Sequence, residues 1–369
     1  MLNRAFYLIT KLGFGTSSTV WLARDVRRWW WQEKHVALKI TVNDLSTKSG
    51  ESEIALVNHI ARTNPLHPGR QFLRTPIDTF KIQGPNGTHS VQVYEPMRES
   101  LCVLRDRMTG RRFSPGLVKT TLSFILSGLD YLHNQCHVVH GDLNTENVLI
   151  PIESPRVLNR FIHKGLFATP EIHRANNRVT YLSRQDIGEL DPRALVGPPK
   201  IIDFGASTIL GESNTAQHLH NQLVRYKAPE LLLGTPFGYG VDIWNLGLMT
   251  WDLLQGDGLL EVRDLVEGVK TEEMQLAEII GLLGPPPKSI RAQGSKSHLY
   301  FDSNGHFKFP ELVPQPKALK ERIDSLQKND RPLFLDFLRS MLNWDPSKRK
   351  PAQELLVHPW LVQEQFKYT

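Results

Sequence analysis

In the first hundred residues apolar positions fall into short alternating runs, the period of half-buried strands. KLGFGTSSTVWLARD reads as a strand, a glycine turn and a second strand, and HVALKI as another strand with Lys39 among apolar neighbours. The period then lengthens. In SGESEIALVNHIAR, Ile54, Val57 and Ile60 or Ala61 share one helical face, and SVQVYEPMRESL ends a further strand at Tyr94. Farther along, VVHGDLNTENVLI sets a polar loop between two apolar runs, KIIDFG brings a β-rich run to a turn, and VDIWNLGLMTWDLL is an apolar helix opened by Asp242. No internal repeat is visible. The stretch from Val148 to Lys200 mixes charged and apolar residues; loops of that length are commonly functional or disordered. Partial order is expected there, with no role assigned.

The polar residues between these elements are of the types that phosphoryl transfer uses. That reaction asks for a group to orient the attacking hydroxyl, oxygen ligands for magnesium and a cradle for phosphate. Asp142 fits the base, and Asn147 and Asp203 fit the metal ligands. Gly13, Gly15 and Ser18 are small where a loop must let its amides approach phosphate, and Val20 would lie beneath the adenine. Lys39 would reach the α- and β-phosphates, although a strand lysine in apolar company can also simply snorkel to the surface. Glu53 is placed to pair with it. Glu51 is the rival, and Glu53 is preferred because an apolar residue follows four positions on.

Taken in order, and joined by YKAPELLLG with Ala228, Pro229 and Glu230 and by NWDPSKRKPAQELL with Arg349 as a buried partner for Glu230, these motifs resemble a eukaryotic protein kinase from about Phe6 to Leu361. VTYLSR, LAEIIGLLGPPP and FDSNGHFKFPEL bring the resemblance nearest to the SR-protein-specific kinases and their fungal relatives. The resemblance implies an α+β, bilobal fold with a β-rich N-lobe over 1–97 and a helical C-lobe over 98–369. It implies ATP- and magnesium-dependent transfer to serine or threonine of a protein substrate, with some preference for Arg/Ser-rich segments. Nucleotide contacts are then expected from Leu12, Gly13, Phe14, Gly15, Thr16, Ser17, Ser18, Thr19, Val20 and Ala37. Lys39, Asn147 and Asp203 would join them, with the Glu95 carbonyl and Met97 amide at the hinge, since Pro96 has no amide. Tyr94 would guard the pocket behind the nucleotide.

Composition limits the alternatives. The 369 residues are 40% hydrophobic, enough for two cored lobes, with two cysteines and no run that spans a bilayer. An intracellular protein of cytoplasm or nucleus is expected, a monomer, with no membrane. The net charge of +6 is spread without a basic block, so no nucleic-acid partner is expected. The tryptophans Trp29 to Trp31 lie between strands and are expected to pack rather than bind.

Departures from the kinase pattern set further expectations. Gly141 stands where many kinases have the arginine that reads an activation-segment phosphate. Asn144 stands where a catalytic-loop lysine touches the transferred phosphate, and Leu223 where a threonine bridges to that loop. Losing one such donor costs about 10²- to 10³-fold in rate, which predicts a slower enzyme. Two other readings stay open: a nucleotide-binding pseudokinase scaffold, and a small-molecule phosphotransferase sharing the HGDLNTEN loop. Glu230, the Asp242 helix and Arg349 weigh against the second. For a basic substrate, Glu261, Asp264, Glu267, Glu272 and Glu273 could supply acidic surface, weakened by Arg263 and Lys270.

Overall fold

The computed structural model describes residues 5–15, 18–27, 34–41, 49–84, 87–166, 172–175, 178–184, 186–190, 197–211, 226–261, 271–315 and 319–363. The chain forms two compact units. Met1–Thr63, Leu73–Leu101 and Val148–Gly205 make the first, and Asn64–Phe72, Cys102–Asn147 and Ala206–Thr369 the second.

The first unit is built on an antiparallel sheet of order β1-β2-β3-β5-β4, from β1 (Phe6–Phe14), β2 (Ser18–Asp25), β3 (Lys34–Thr41), β4 (Asp78–Gly84) and β5 (Gly87–Tyr94). Alternation sorts its faces. Val36, Leu38, Val91 and Val93 share a buried cluster with Phe6 and Ala23, and Phe6 stacks on Phe80 with ring centroids 5.4 Å apart. Ala37, Lys39 and Thr41 therefore take the opposite face. The helix α1 (Ser49–Arg62) buries Glu53, Leu56, Val57 and Ile60, a stripe at helical spacing. Ile54, expected on that stripe, is only half-buried.

The insert has structure of its own. Val148–Pro151 pairs with Met97–Ser100 and with Lys200–Ile201, Pro155–Leu166 is helical, and Ile172–Ala175 forms a hairpin with Arg178–Tyr181. It is fastened to the sheet: the Arg184 amide donates to the Lys11 carbonyl at 2.8 Å, and the Tyr181 ring meets Trp21 edge-on at 5.5 Å.

The second unit is helical. At its centre lies Gly240–Gln255, in which every residue from Val241 to Leu254 is buried, as a helix apolar on all sides must be. Pro115–Asp130 packs on it, and begins where Ser114 Oγ accepts the Leu117 amide and Pro115 takes the first turn. Beneath, Trp360 meets Phe334 and Phe337 at ring-centroid distances of 5.0 Å. The short strands Val138–Val139 and Thr208–Ile209 pair on this frame and hold one end of the His140–Asn147 loop.

Candidate active site

In the first unit the site begins with β3. Its register sets Lys39 opposite Val20 on β2 and Gln92 on β5. From there the ammonium bonds Glu53 Oε1 at 2.7 Å and Asp203 Oδ1 at 2.9 Å. Burial works against the charged amine, but the carboxylates of Asp203 and Glu53 more than offset it, and the Lys39 pKa is raised above its ordinary value. Lys39 is thus a fixed cation at physiological pH. Asp203 sits in the left-handed region at φ 63°, an uncommon conformation for a residue with a side chain. Of the rival glutamates, Glu53 makes the pair; the Glu51 side chain lies outside the described residues.

The glycine turn leaves room above it. Gly13 and Phe14 face Val20 and Thr19 across the β1–β2 ladder, and the Gly15 amide closes the turn on the Ser18 carbonyl at 2.8 Å. A Cβ at Gly15 would meet nothing within 4 Å, which suits a loop that a phosphate approaches. Leu12 lies on β1 and is half-buried, while Ala37 is buried on β3 opposite Leu22 and Tyr94. Thr16 and Ser17 lie outside the described residues, as do Trp29 to Trp31.

After β5 the structure adds a residue that the sequence reading missed. Arg74 lays its guanidinium over the Tyr94 ring, 4.6 Å from its centroid, and Nη2 donates to the Glu95 carbonyl at 2.7 Å. The carbonyl expected to meet adenine therefore already accepts one bond. Burial lowers the Arg74 pKa to about 10 and raises the Tyr94 hydroxyl to about 12. Arg74 belongs to no motif, so only the fold could reveal it. Met97 is buried and in register with Pro151.

In the second unit the HGDLNTEN loop is held from below by Asp242. Its carboxylate accepts the amides of His140 and Gly141 at 2.8 and 2.9 Å and bonds His133 Nε2 at 2.8 Å. Burial would raise its pKa, yet these bonds hold it below the ordinary value. Gly141 takes φ 81°, where a side chain would be strained.

Asp142 is fixed from both sides. Asn144 Nδ2 donates to its carbonyl and to Oδ1 at 3.1 and 3.2 Å, and Asn147 Nδ2 to its carbonyl and to Oδ2 at 2.8 and 3.0 Å. Asn144 does more than substitute for a lysine. Its Oδ1 accepts the Glu146 and Asn147 amides at 2.8 and 3.3 Å, tying the loop together from a buried position.

Each unit carries one side chain of the donor type that magnesium takes. Asp203 offers a carboxylate and Asn147 a carboxamide oxygen, while the Asn147 nitrogen is engaged by Asp142. Both are hard oxygen donors, and magnesium takes one or two protein ligands together with substrate phosphates. Among the described residues no cluster of three or more His, Cys, Asp or Glu could hold a metal by itself.

The remaining expected residues divide. Glu230 and Arg349 form a fully buried bidentate pair, both bonds at 2.7 Å. Glu272, counted as acidic surface, is instead engaged within the unit: Lys227 Nζ bonds Oε1 at 2.6 Å and the Tyr300 hydroxyl donates to Oε2 at 2.8 Å. Leu223, Arg263, Asp264, Glu267 and Lys270 lie outside the described residues.

The sequence matches the Protein kinase domain family over residues 6–361. The chain belongs to the protein kinase family. A serine/threonine protein kinase of Aspergillus fumigatus is 31% identical over 360 residues, covering 97% of this chain and 84% of the relative. The serine/threonine-protein kinase SRPK of Physarum polycephalum is 31% identical over 97% of this kinase and 86% of its own length. Mouse SRSF protein kinase 3 is 24% identical over 98% and 87%. A solved kinase-domain crystal structure superposes with TM-score 0.70 at 23% identity, covering 98% of this chain and 96% of that one, so the bilobal α+β kinase fold is shared. Among the described residues no helix is long and apolar enough to cross a membrane.

Proposed function

We propose that this kinase transfers the γ-phosphoryl group of ATP to serine or threonine hydroxyls of protein substrates. The observation that carries the reading is the Lys39 ammonium held at 2.7 Å by Glu53 and at 2.9 Å by Asp203. A cation fixed in this way is suited to neutralise phosphate charge without reorganising during reaction. The glycine turn from Leu12 to Val20, with Ala37, takes the nucleotide in this reading. Arg74 and the Glu95 carbonyl shape its adenine end, with the Met97 amide.

Asp142 accepts the acceptor hydroxyl's proton while Asn144 and Asn147 keep its carboxylate oriented. Magnesium, when bound, neutralises charge on the phosphates. Asn147 and Asp203 would contribute its protein oxygens. The 1–97 and 98–369 lobes are part of this reading, as are a monomeric state and a cytoplasmic or nuclear location.

The likeness to relatives named SRPK and SRSF protein kinase supports Arg/Ser-rich segments as acceptors in this reading. With Glu272 engaged by Lys227 and Tyr300 and a net charge of +6, the preference for such basic segments is modest. ATP turnover coupled to phosphopeptide formation, measured beside Asp142→Asn, tests the transfer. Equal phosphopeptide yield from the variant overturns it. A peptide array tests the substrate class separately: strong, salt-sensitive selection of Arg-Ser repeats would overturn the modest preference.

A further inference from the structure

Away from the residues assigned to phosphoryl transfer, the second unit has a cavity of about 470 Å³ lined by the helix Lys288–Gln293, the helix Ser297–Tyr300 and the turn 302–305. Two of its buried donors lack acceptors. Arg291 Nε is buried without a hydrogen-bond partner, and the guanidinium lies over the Phe301 ring, 5.7 Å from its centroid. Ser297 is 8% exposed, and its Oγ is likewise buried and unpartnered. Lys288 and the exposed His298 complete the basic lining.

Among the described residues, the one carboxylate lining the cavity is already engaged. Asp302 Oδ1 accepts the His306 amide at 2.8 Å and Oδ2 lies 3.4 Å from His306 Nδ1. The turn is shaped around the guanidinium. Gly305 takes φ 84°, where a side chain would be strained, and a Cβ there would meet the Arg291 guanidinium.

Buried donors in folded proteins find partners, and an unmet group marks a missing water or ion. One orphan could be met by one water. Here one guanidinium nitrogen and a hydroxyl are both orphaned in a lining that also carries an ammonium and an imidazole, with the neighbouring carboxylate engaged elsewhere. That combination asks for several acceptor oxygens and negative charge in one ligand. A phosphoryl dianion supplies both, and its oxygens match the forked donors of arginine.

We propose that the cavity is an oxyanion site for a phosphoryl group, with Arg291 and Ser297 as its inner donors and Lys288 and His298 at its rim. The group can be free phosphate or a phosphorylated serine or threonine on a protein segment. The proposal concerns binding alone and does not depend on the kinase reading.

The test uses the full chain without nucleotide. Inorganic phosphate is titrated calorimetrically, and a peptide carrying one phosphoserine is compared with its unphosphorylated twin by fluorescence anisotropy. Wild type should show saturable phosphate binding that Arg291→Gln and Ser297→Ala each weaken by roughly tenfold or more and that Lys288→Gln weakens less. Lys288 is exposed, so its variant keeps a folded reference if Arg291→Gln is unstable. Tighter binding of the phosphopeptide than of its twin, abolished by Ser297→Ala, assigns the site to a protein-borne phosphate. Phosphate binding with equal peptide affinities assigns it to the free ion. Absence of saturable phosphate binding, or binding unchanged in the folded Ser297→Ala and Lys288→Gln variants, overturns the proposal.

Discussion

Arg98 and Glu153 form an ion pair of 2.6 Å in which neither side chain has any solvent exposure. Arg98 also reaches Glu99 Oε2 at 3.1 Å and the Gly188 carbonyl, so one guanidinium joins the strand after Tyr94 to two points of the insert. A buried charge that loses its partner costs more than the pair contributes. Arg98→Met should therefore destabilise the first unit by about 3–5 kcal/mol, while the double variant Arg98→Met with Glu153→Leu should recover part of that loss. Chemical denaturation of the single and double variants checks this. Equal midpoints for wild type and Arg98→Met would mean that the insert is held by its other contacts.

What could be read from the sequence were the residues whose role follows from their element. Lys39 on an alternating strand and Glu53 on an amphipathic helix have directions fixed by period, and Glu230 and Arg349 stand in recognisable phrases 119 residues apart. The rest depended on partners that no period reveals. Glu272 looks like surface charge on paper, yet Lys227 and Tyr300 claim it. Arg74 approaches Glu95 through the path of a loop. The insert's composition did not determine which strand its backbone would bond, and the Arg184 amide on Lys11 follows only from the folded chain.

Asp242 gives the second unit a defined acid sensitivity. Its folded pKa lies below the ordinary 3.8, so the native state favours the carboxylate more than the unfolded chain does. That stabilisation is fully present above the ordinary value and is lost as pH falls through the lower, folded one. Asp242→Asn keeps the side chain's shape but cannot accept from the His140 and Gly141 amides and His133 with both oxygens. Its deficit against wild type should be largest near neutral pH and shrink as pH falls below about 4. Urea midpoints of both proteins from about pH 6 to about pH 3 measure the gap. A deficit independent of pH would show that geometry rather than charge makes Asp242 important.

Gly141 bears on regulation. With no arginine beside Asp142, a phosphate on the following segment lacks the cation that would convert it into loop order. Ser207 is committed elsewhere, its Oγ donating to the His140 carbonyl at 2.7 Å, and Thr208 is buried within a strand pair. Ser213 and Thr215 lie outside the described residues. Phosphatase treatment of the purified kinase should leave peptide phosphorylation within about twofold of the untreated rate, since a required phosphate would contribute 1–3 charge-assisted bonds and a much larger change. A drop of tenfold or more, about 1.4 kcal/mol, would identify an activating phosphate read by some other cation.

Asn144 decides how far the catalytic loop departs from a lysine-bearing one. Its amide nitrogen steadies Asp142 Oδ1, and its oxygen accepts the amides of Glu146 and Asn147. Lysine has three donors and no acceptor, so it cannot take over the second task. Asn144→Lys should therefore fail to raise kcat. Asn144→Ala loses both tasks and should lower kcat by about 10²-fold, the scale of one preorganised donor, with little change in KM for ATP. Asn144→Asp keeps the accepting oxygen but places a second carboxylate against Asp142, which raises the base's pKa. Its activity should fall at neutral pH and recover partly as pH rises. Steady-state kinetics of the three variants across pH separate these outcomes. A kcat gain in Asn144→Lys would show that the missing cation, and not the order of the loop, limits this kinase.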